Sequence, residues 1–190
     1  MIKKIKHQAK SKIQNNYIFL FLITIISTAL SFLFAPLLPI TTALIILFNF
    51  GVTSIYLKVL NGQTSEYRDI FLAFSSTNIQ RFFLIGFLSF LRIILFSLLF
   101  VIPGIIQYYR LALVNYLAIE NPTLSYQEVM RLSERLMKGN KFKLFTLQLS
   151  FIGWFFLTKI TFGLAGIYVL PYYQMTLATF YQEVKNTNLS

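Results

Sequence analysis

The chain has 190 residues, of which 56% are apolar and only 12% charged. Soluble domains carry about 25% charge, so much of this surface has to face something other than water. The net charge of +11 rests on 17 Lys and Arg in short runs between apolar stretches, the pattern of cytoplasmic loops rather than of a nucleic-acid-binding face. No cysteine is present, which excludes disulfides, thiol chemistry and thiolate metal sites. The single histidine, His7, stands in a basic leader and cannot build a metal cluster or a catalytic triad alone.

In chain order, Ile2, Ile5, Ala9 and Ile13 fall at helical spacing among lysines and predict an amphipathic helix on a membrane surface. The apolar run at 17–34 exceeds a secretory h-region of about 7–15 residues, and "SFLFAP" is a poor cleavage site, so a retained helix is expected. Runs able to cross, or nearly cross, a core of about 30 Å recur at 17–34, 41–57, 82–102, 105–119, 144–160 and 165–181. They must be helical because lipid cannot satisfy open backbone groups. Pro171 predicts a kink in the last one, since it removes a backbone donor. Tight outer turns are expected at Pro36-Leu37-Leu38-Pro39, at Pro103-Gly104 and around Gly163 and Gly166.

Charge orients these runs. With both termini cytoplasmic, fourteen of the basic residues lie inside, only Lys159 lies in an outer turn, and Arg92 and Arg110 fall within the membrane. The expected fold is an all-α, polytopic membrane helical bundle of about six transmembrane helices plus interfacial amphipathic helices, one integral domain over 1–190 of a bacterial plasma membrane. Asn16, Asn78 and Asn140 recur every 62 residues, each before a helix start and after an amphipathic stretch. Two readings of that spacing stand side by side: three hairpin units (1–60, 61–122, 123–185), or helices of equal length spaced by charge alone. In the third stretch Ser125 and Glu128 predict a capping box, and Gly139 a left-handed helix end after Lys138. Val129, Met130, Leu136 and Met137 would dip into the bilayer, while Arg131, Arg135, Lys138, Lys141 and Lys143 would anchor the chain on anionic headgroups.

The segment "ENPTLSYQEVMRLSERLMKGNKFKLFTLQLSFIGW", with the upstream "IPGIIQYYRLALVNYLAIE" and the downstream "LPYYQMTLATFY", resembles the integral membrane family known as domain of unknown function 975. The likeness is dense over 102–181 and looser before it. A fainter likeness ties the Pro-Gly-Ile and Leu-Met-Lys-Gly patterns to membrane regions of bacterial glycerophosphodiesterases, whose catalytic motif is missing here. The resemblance implies a bacterial membrane protein and supplies no reaction.

Candidate chemistry is sparse. No carboxylate falls in the middle of a predicted span and no phosphate loop is present, which leaves Arg92 and Arg110. Each would cost roughly 2.5–3.5 kcal/mol at a helix centre, so each should face protein, water or a ligand. With no intramembrane carboxylate in sight, carbonyls, Tyr and Asn side chains (Tyr109 and Asn115 above all), water or an anion are their expected partners. The sequence therefore points to a non-enzymatic protein without cofactor, metal or nucleic acid. It would bind anionic lipid or membrane-protein partners, or associate with itself, as an envelope, assembly, stress or immunity factor. The alternative is a carrier or channel component with an arginine-lined anion or amphiphile path.

Overall fold

The computed structural model describes residues 2–14, 17–33, 38–74 and 79–189, and among these all regular structure is helical. The order is α1 (Ile2–Gln14), α2 (Tyr17–Leu33), α3 (Leu38–Leu60), a 3-10 helix (Tyr67–Phe74), α4 (Ile79–Leu99), α5 (Val101–Arg110), α6 (Val114–Glu120), α7 (Tyr126–Leu136), α8 (Lys141–Leu149), α9 (Ile152–Ile160) and α10 (Gly166–Leu189). Asn16, Asn78, Pro36 and Leu37, singled out in the sequence, lie outside the described residues.

Two helices among the described residues are long and apolar enough to cross a membrane, Thr42–Leu60 in α3 and Ile79–Leu98 in α4. The sequence reading expects six. The fourth predicted helix breaks over 111–113 into α5 and α6, and the fifth breaks at Ser150 and Phe151 into α8 and α9. Each half of the fifth has nine residues, about 14 Å at 1.5 Å per residue. The second outer turn also differs. Pro103 and Gly104 sit in the first turn of α5, and the chain reverses at the extended Phe100. Proline is tolerated there because the first helical amides lack partners anyway.

α3 is the hub, packed by α1, α2, the 3-10 helix, α4, α6 and α10. Two glycines let its neighbours approach. A Cβ on Gly51 would fall on the Ile70 carbonyl of the 3-10 helix, and one on Gly86 of α4 would fall on Ile46 of α3. Gly104 does the same for α5 against Ser97 of α4. Small residues at helix crossings are the usual device where lipid gives no hydrophobic drive to association.

The amphipathic segments do not lie free. Ile5, Ala9 and Ile13 of α1 are buried, with α10 its main neighbour, and Ile70 and Ala73 of the 3-10 helix are buried on α3. Lys58 of α3 pairs with Asp69 at 2.6 Å beside them. On α7, Val129, Met130, Leu136 and Met137 are buried, with α4, α6 and α10 as neighbours. This corrects the expectation that those four side chains dip into lipid: the protein itself covers the apolar face. The end of α7 also shifts. The helix stops at Leu136 with Met137 as its cap, so Gly139 (φ +81) lies two residues past the cap rather than one.

Candidate functional site

The breaks in the helices set up the interior. A broken helix leaves carbonyls without an i+4 donor, and buried backbone groups must find another partner. At the α5–α6 break the Arg110 carbonyl accepts from Ser133 Oγ of α7 at 2.8 Å. At the α8–α9 break the Ser150 carbonyl accepts from Lys6 Nζ of α1 at 3.4 Å, and the same ammonium lies 4.1 Å from the centre of the buried Phe151 ring. Its partial burial lowers the Lys6 pKa. In α10, Pro171 cannot donate to the Ile167 carbonyl, and Tyr17 Oη donates to it instead at 3.2 Å. Each irregularity is thus closed by a side chain from α1, α2 or α7.

These breaks bring together a polar cluster that the chain order hides. Gln148 of α8 accepts at Oε1 from Tyr109 Oη at 2.7 Å, and its Nε2 donates to Tyr173 Oη at 2.9 Å and to Tyr108 Oη at 3.4 Å. One carboxamide therefore ties α5, α8 and α10. Beside it lies a cavity of about 470 Å³ between α3, α4, α5, α6, α8 and α10. Its polar wall is Asn49, Thr53, Ser89, Tyr108, Asn115, Tyr116, Gln148, Tyr173 and Gln174, and its remaining lining is apolar. Thr53 and Ser89 spend their hydroxyl protons on Asn49 and Ile85 carbonyls within their own helices. No Lys, Arg, Asp, Glu or His appears among the described residues of the lining.

The four residues singled out for ligand binding do not form one site. Asn115 lines the cavity, and Tyr109 supports its wall through Gln148. Arg92 is engaged elsewhere, with its Nη1 2.6 Å from Oε1 of Glu134 on α7. The sequence reading saw no carboxylate for it, because Glu134 sits in a helix assigned to the membrane surface. Arg110 lies outside the cavity lining and, among the described residues, its guanidinium has no side-chain partner.

The junctions of α4, α6, α7 and α10 are tied by charged side chains. Arg81 donates to the carbonyls of Ala118, Asn121 and Leu124 at 3.0, 2.7 and 3.2 Å, closing the end of α6 onto the start of α4. Glu120 accepts from Tyr181 Oη at 2.6 Å and pairs with Lys185, which locks it to α10. Ser125 and Glu128 close a capping box at the head of α7, and these hydrogen bonds from the Ser125 side chain and backbone hold the Glu128 carboxyl below its ordinary pKa. At its other end the Asn140 side chain donates to the Leu136 carbonyl at 2.8 Å, turning the chain into α8. Arg131, Arg135, Lys138 and Lys143 are exposed and Lys141 half-buried around that turn.

Sequence reasoning missed Gln148 and Glu134. A signal existed for the first: Gln148 is the one carboxamide in the predicted span 144–160, and polar groups in such spans are costly unless they have partners. No signal marked Glu134, since a glutamate four residues before Lys138 reads equally well as a solvent-exposed helix pair. Among the described residues no group of carboxylates and histidine is placed to hold a metal. No curated protein and no solved structure matches the chain. Residues 55–188, however, match the family model described as "Protein of unknown function (DUF975)", and the chain belongs to that family.

Proposed function

We propose that this is a multi-pass protein of the bacterial plasma membrane, both termini cytoplasmic, that acts without catalysis by holding anionic lipid headgroups on its basic cytoplasmic face. The surface carries the reading. α9 buries none of its side chains, and only 11% of the apolar stretch of α4 is buried, while the cations around the α7–α8 turn stay open. In water so broad an apolar surface would drive aggregation or association; lipid solvates it. Each exposed cation near an anionic leaflet then adds about 1 kcal/mol of attraction.

The contacts of α1 and α2 bear on the number of crossings. Tyr17 touches Ile167, and Lys6 touches Ser150. Groups in hydrogen-bond contact lie at nearly one depth, whereas the two faces of the hydrocarbon core are about 30 Å apart. Six complete crossings would put Tyr17 at the inner face and Ile167 at the outer. The contacts favour four crossings, by α2, α3, α4 and the broken α5–α6 arm. Ser150 before α9 and Ile167 at the head of α10 are then held near the cytoplasmic face by Lys6 and Tyr17, so α9 lies along the inner leaflet rather than crossing it. Lys159 joins the other cytoplasmic bases, and the positive-inside balance becomes complete. An arginine-lined anion path has less support, since Arg92 is paired and the cavity wall is uncharged.

Two readouts test this. Purified Lys138→Gln/Lys141→Gln/Lys143→Gln protein should retain several-fold less phosphatidylglycerol than the parent, and equal retention sinks the lipid-holding role. In a cysteine-free chain, Lys159→Cys should react with an impermeant maleimide only after cells are permeabilised. Labelling from outside would restore six crossings.

A further inference from the structure

We propose that the cavity beside Gln148 is a binding site for an uncharged glyceride, a molecule with hydroxyls and ester carbonyls on an acyl chain. Three observations converge. First, the wall carries hydrogen-bonding groups and no charge. A phosphate or carboxylate would enter without a counter-charge, and an unpaired charge away from water is far costlier than a hydroxyl that finds partners. Second, the Asn115 and Gln174 carboxamides line the cavity and have no partner of their own among the described residues, whereas Gln148 beside them is spent on three tyrosines. Two free carboxamides offer donors and acceptors to both hydroxyl and carbonyl oxygens. Third, Phe90 and Tyr108 line the cavity yet are 44% and 46% exposed, so its mouth opens on the apolar face of α4.

The volume of about 470 Å³ falls in the usual range for small-molecule sites, roughly 300–1,000 Å³. It admits a glycerol head with the start of a chain, while the remaining acyl carbons run out between Phe90 and Tyr108 along α4. The proposal takes from the membrane reading only that this face of α4 meets lipid. The number of crossings and the basic anchor do not enter it.

The test uses the full chain in detergent micelles with dioleoylglycerol, free and as a photoactivatable diazirine analogue. Saturable binding is expected, with dioleoylphosphatidylglycerol a poor competitor. Asn115→Leu/Gln174→Leu should bind about tenfold more weakly, as expected for two lost hydrogen bonds, while Phe156→Ala on α9, exposed and outside the cavity lining, should bind as the parent does. If the double variant does not fold, the parent protein decides alone: photoadducts should map to the peptides bearing Asn115 and Gln174. Non-saturable uptake, undiminished binding by the folded double variant, competition by phosphatidylglycerol, or adducts elsewhere would each overturn the proposal. The anionic-lipid reading would survive that failure, because it is measured on the lysine variants.

Discussion

α3 and α4 are adjacent, similar in length and both apolar enough to cross a membrane, yet 61% of the apolar stretch of α3 is buried in the protein and 11% of that of α4. In water only the first is a tolerable helix; in lipid both are. Apolarity alone therefore says nothing about which helix is core and which is skin. The difference lies in what packs on them. Around α3 the chain wraps five other α-helices and the 3-10 helix, whose backbone meets Gly51. On α4, Phe82, Ile85 and Ser89 mark one buried stripe, and Leu84, Leu91, Ile94 and Leu95 face outward.

Breaking the comparison on α4 gives the largest effect. Leu91 lies near the middle of α4 and is 39% exposed. If that face meets hydrocarbon, Leu91→Arg costs about 3 kcal/mol in insertion and should sharply lower the membrane-inserted yield. Leu91→Ala removes little packing and should insert normally. An arginine variant that inserts and folds like the parent would mean that α4 faces water or a partner protein. On α3 the sensitive position is instead the smallest. Gly51→Ala pushes a methyl into the Ile70 carbonyl, and overpacking of this kind costs about 1–3 kcal/mol. Thermal unfolding in micelles should show the loss, whereas Gly153→Ala on α9, where a Cβ meets nothing, should leave stability unchanged.

The same contrast explains what the sequence could reveal. The helical class, the α7 capping residues and the left-handed Gly139 follow from local spacing, and local spacing is what a sequence displays. The breaks at 111–113 and at Ser150 and Phe151 carry no glycine or proline. They rest on distant partners, Ser133 and Lys6, which accept the role only once α7 and α1 are docked. Arg92 shows the same limit. Its neighbours in sequence are all apolar, and its carboxylate partner arrives from 42 positions away. Asn115 was legible as a polar group in an apolar run; that Gln148, Tyr173 and Gln174 share its cavity depends on α6, α8 and α10 converging, which no periodicity encodes.

The smallest expected effect sharpens the picture of α7, the helix whose apolar face the protein covers. Glu128 sits at its third helical position, exposed, with Oε2 accepting from Ser125 N at 2.8 Å and Ser125 Oγ at 2.7 Å. Those bonds favour the ionised carboxylate and depress its pKa below the ordinary 4.5, with Arg131 adding a weaker pull the same way. A depressed carboxyl contributes stability that is complete above the unfolded-state pKa and is lost as pH falls through the folded-state value. Below about pH 4.5 the cap of α7 should therefore weaken, while at pH 6–8 it should not respond to pH at all. Glu128→Gln isolates this from the other carboxylates. Glutamine can still reach back to the Ser125 amide but has no proton to gain, so the capping box persists without its pH dependence. The parent minus Glu128→Gln difference in thermal midpoint should be flat above pH 5 and shrink toward zero on acidification. A difference that grows as pH falls would place the proton on the wrong side of the linkage and remove the box as its source.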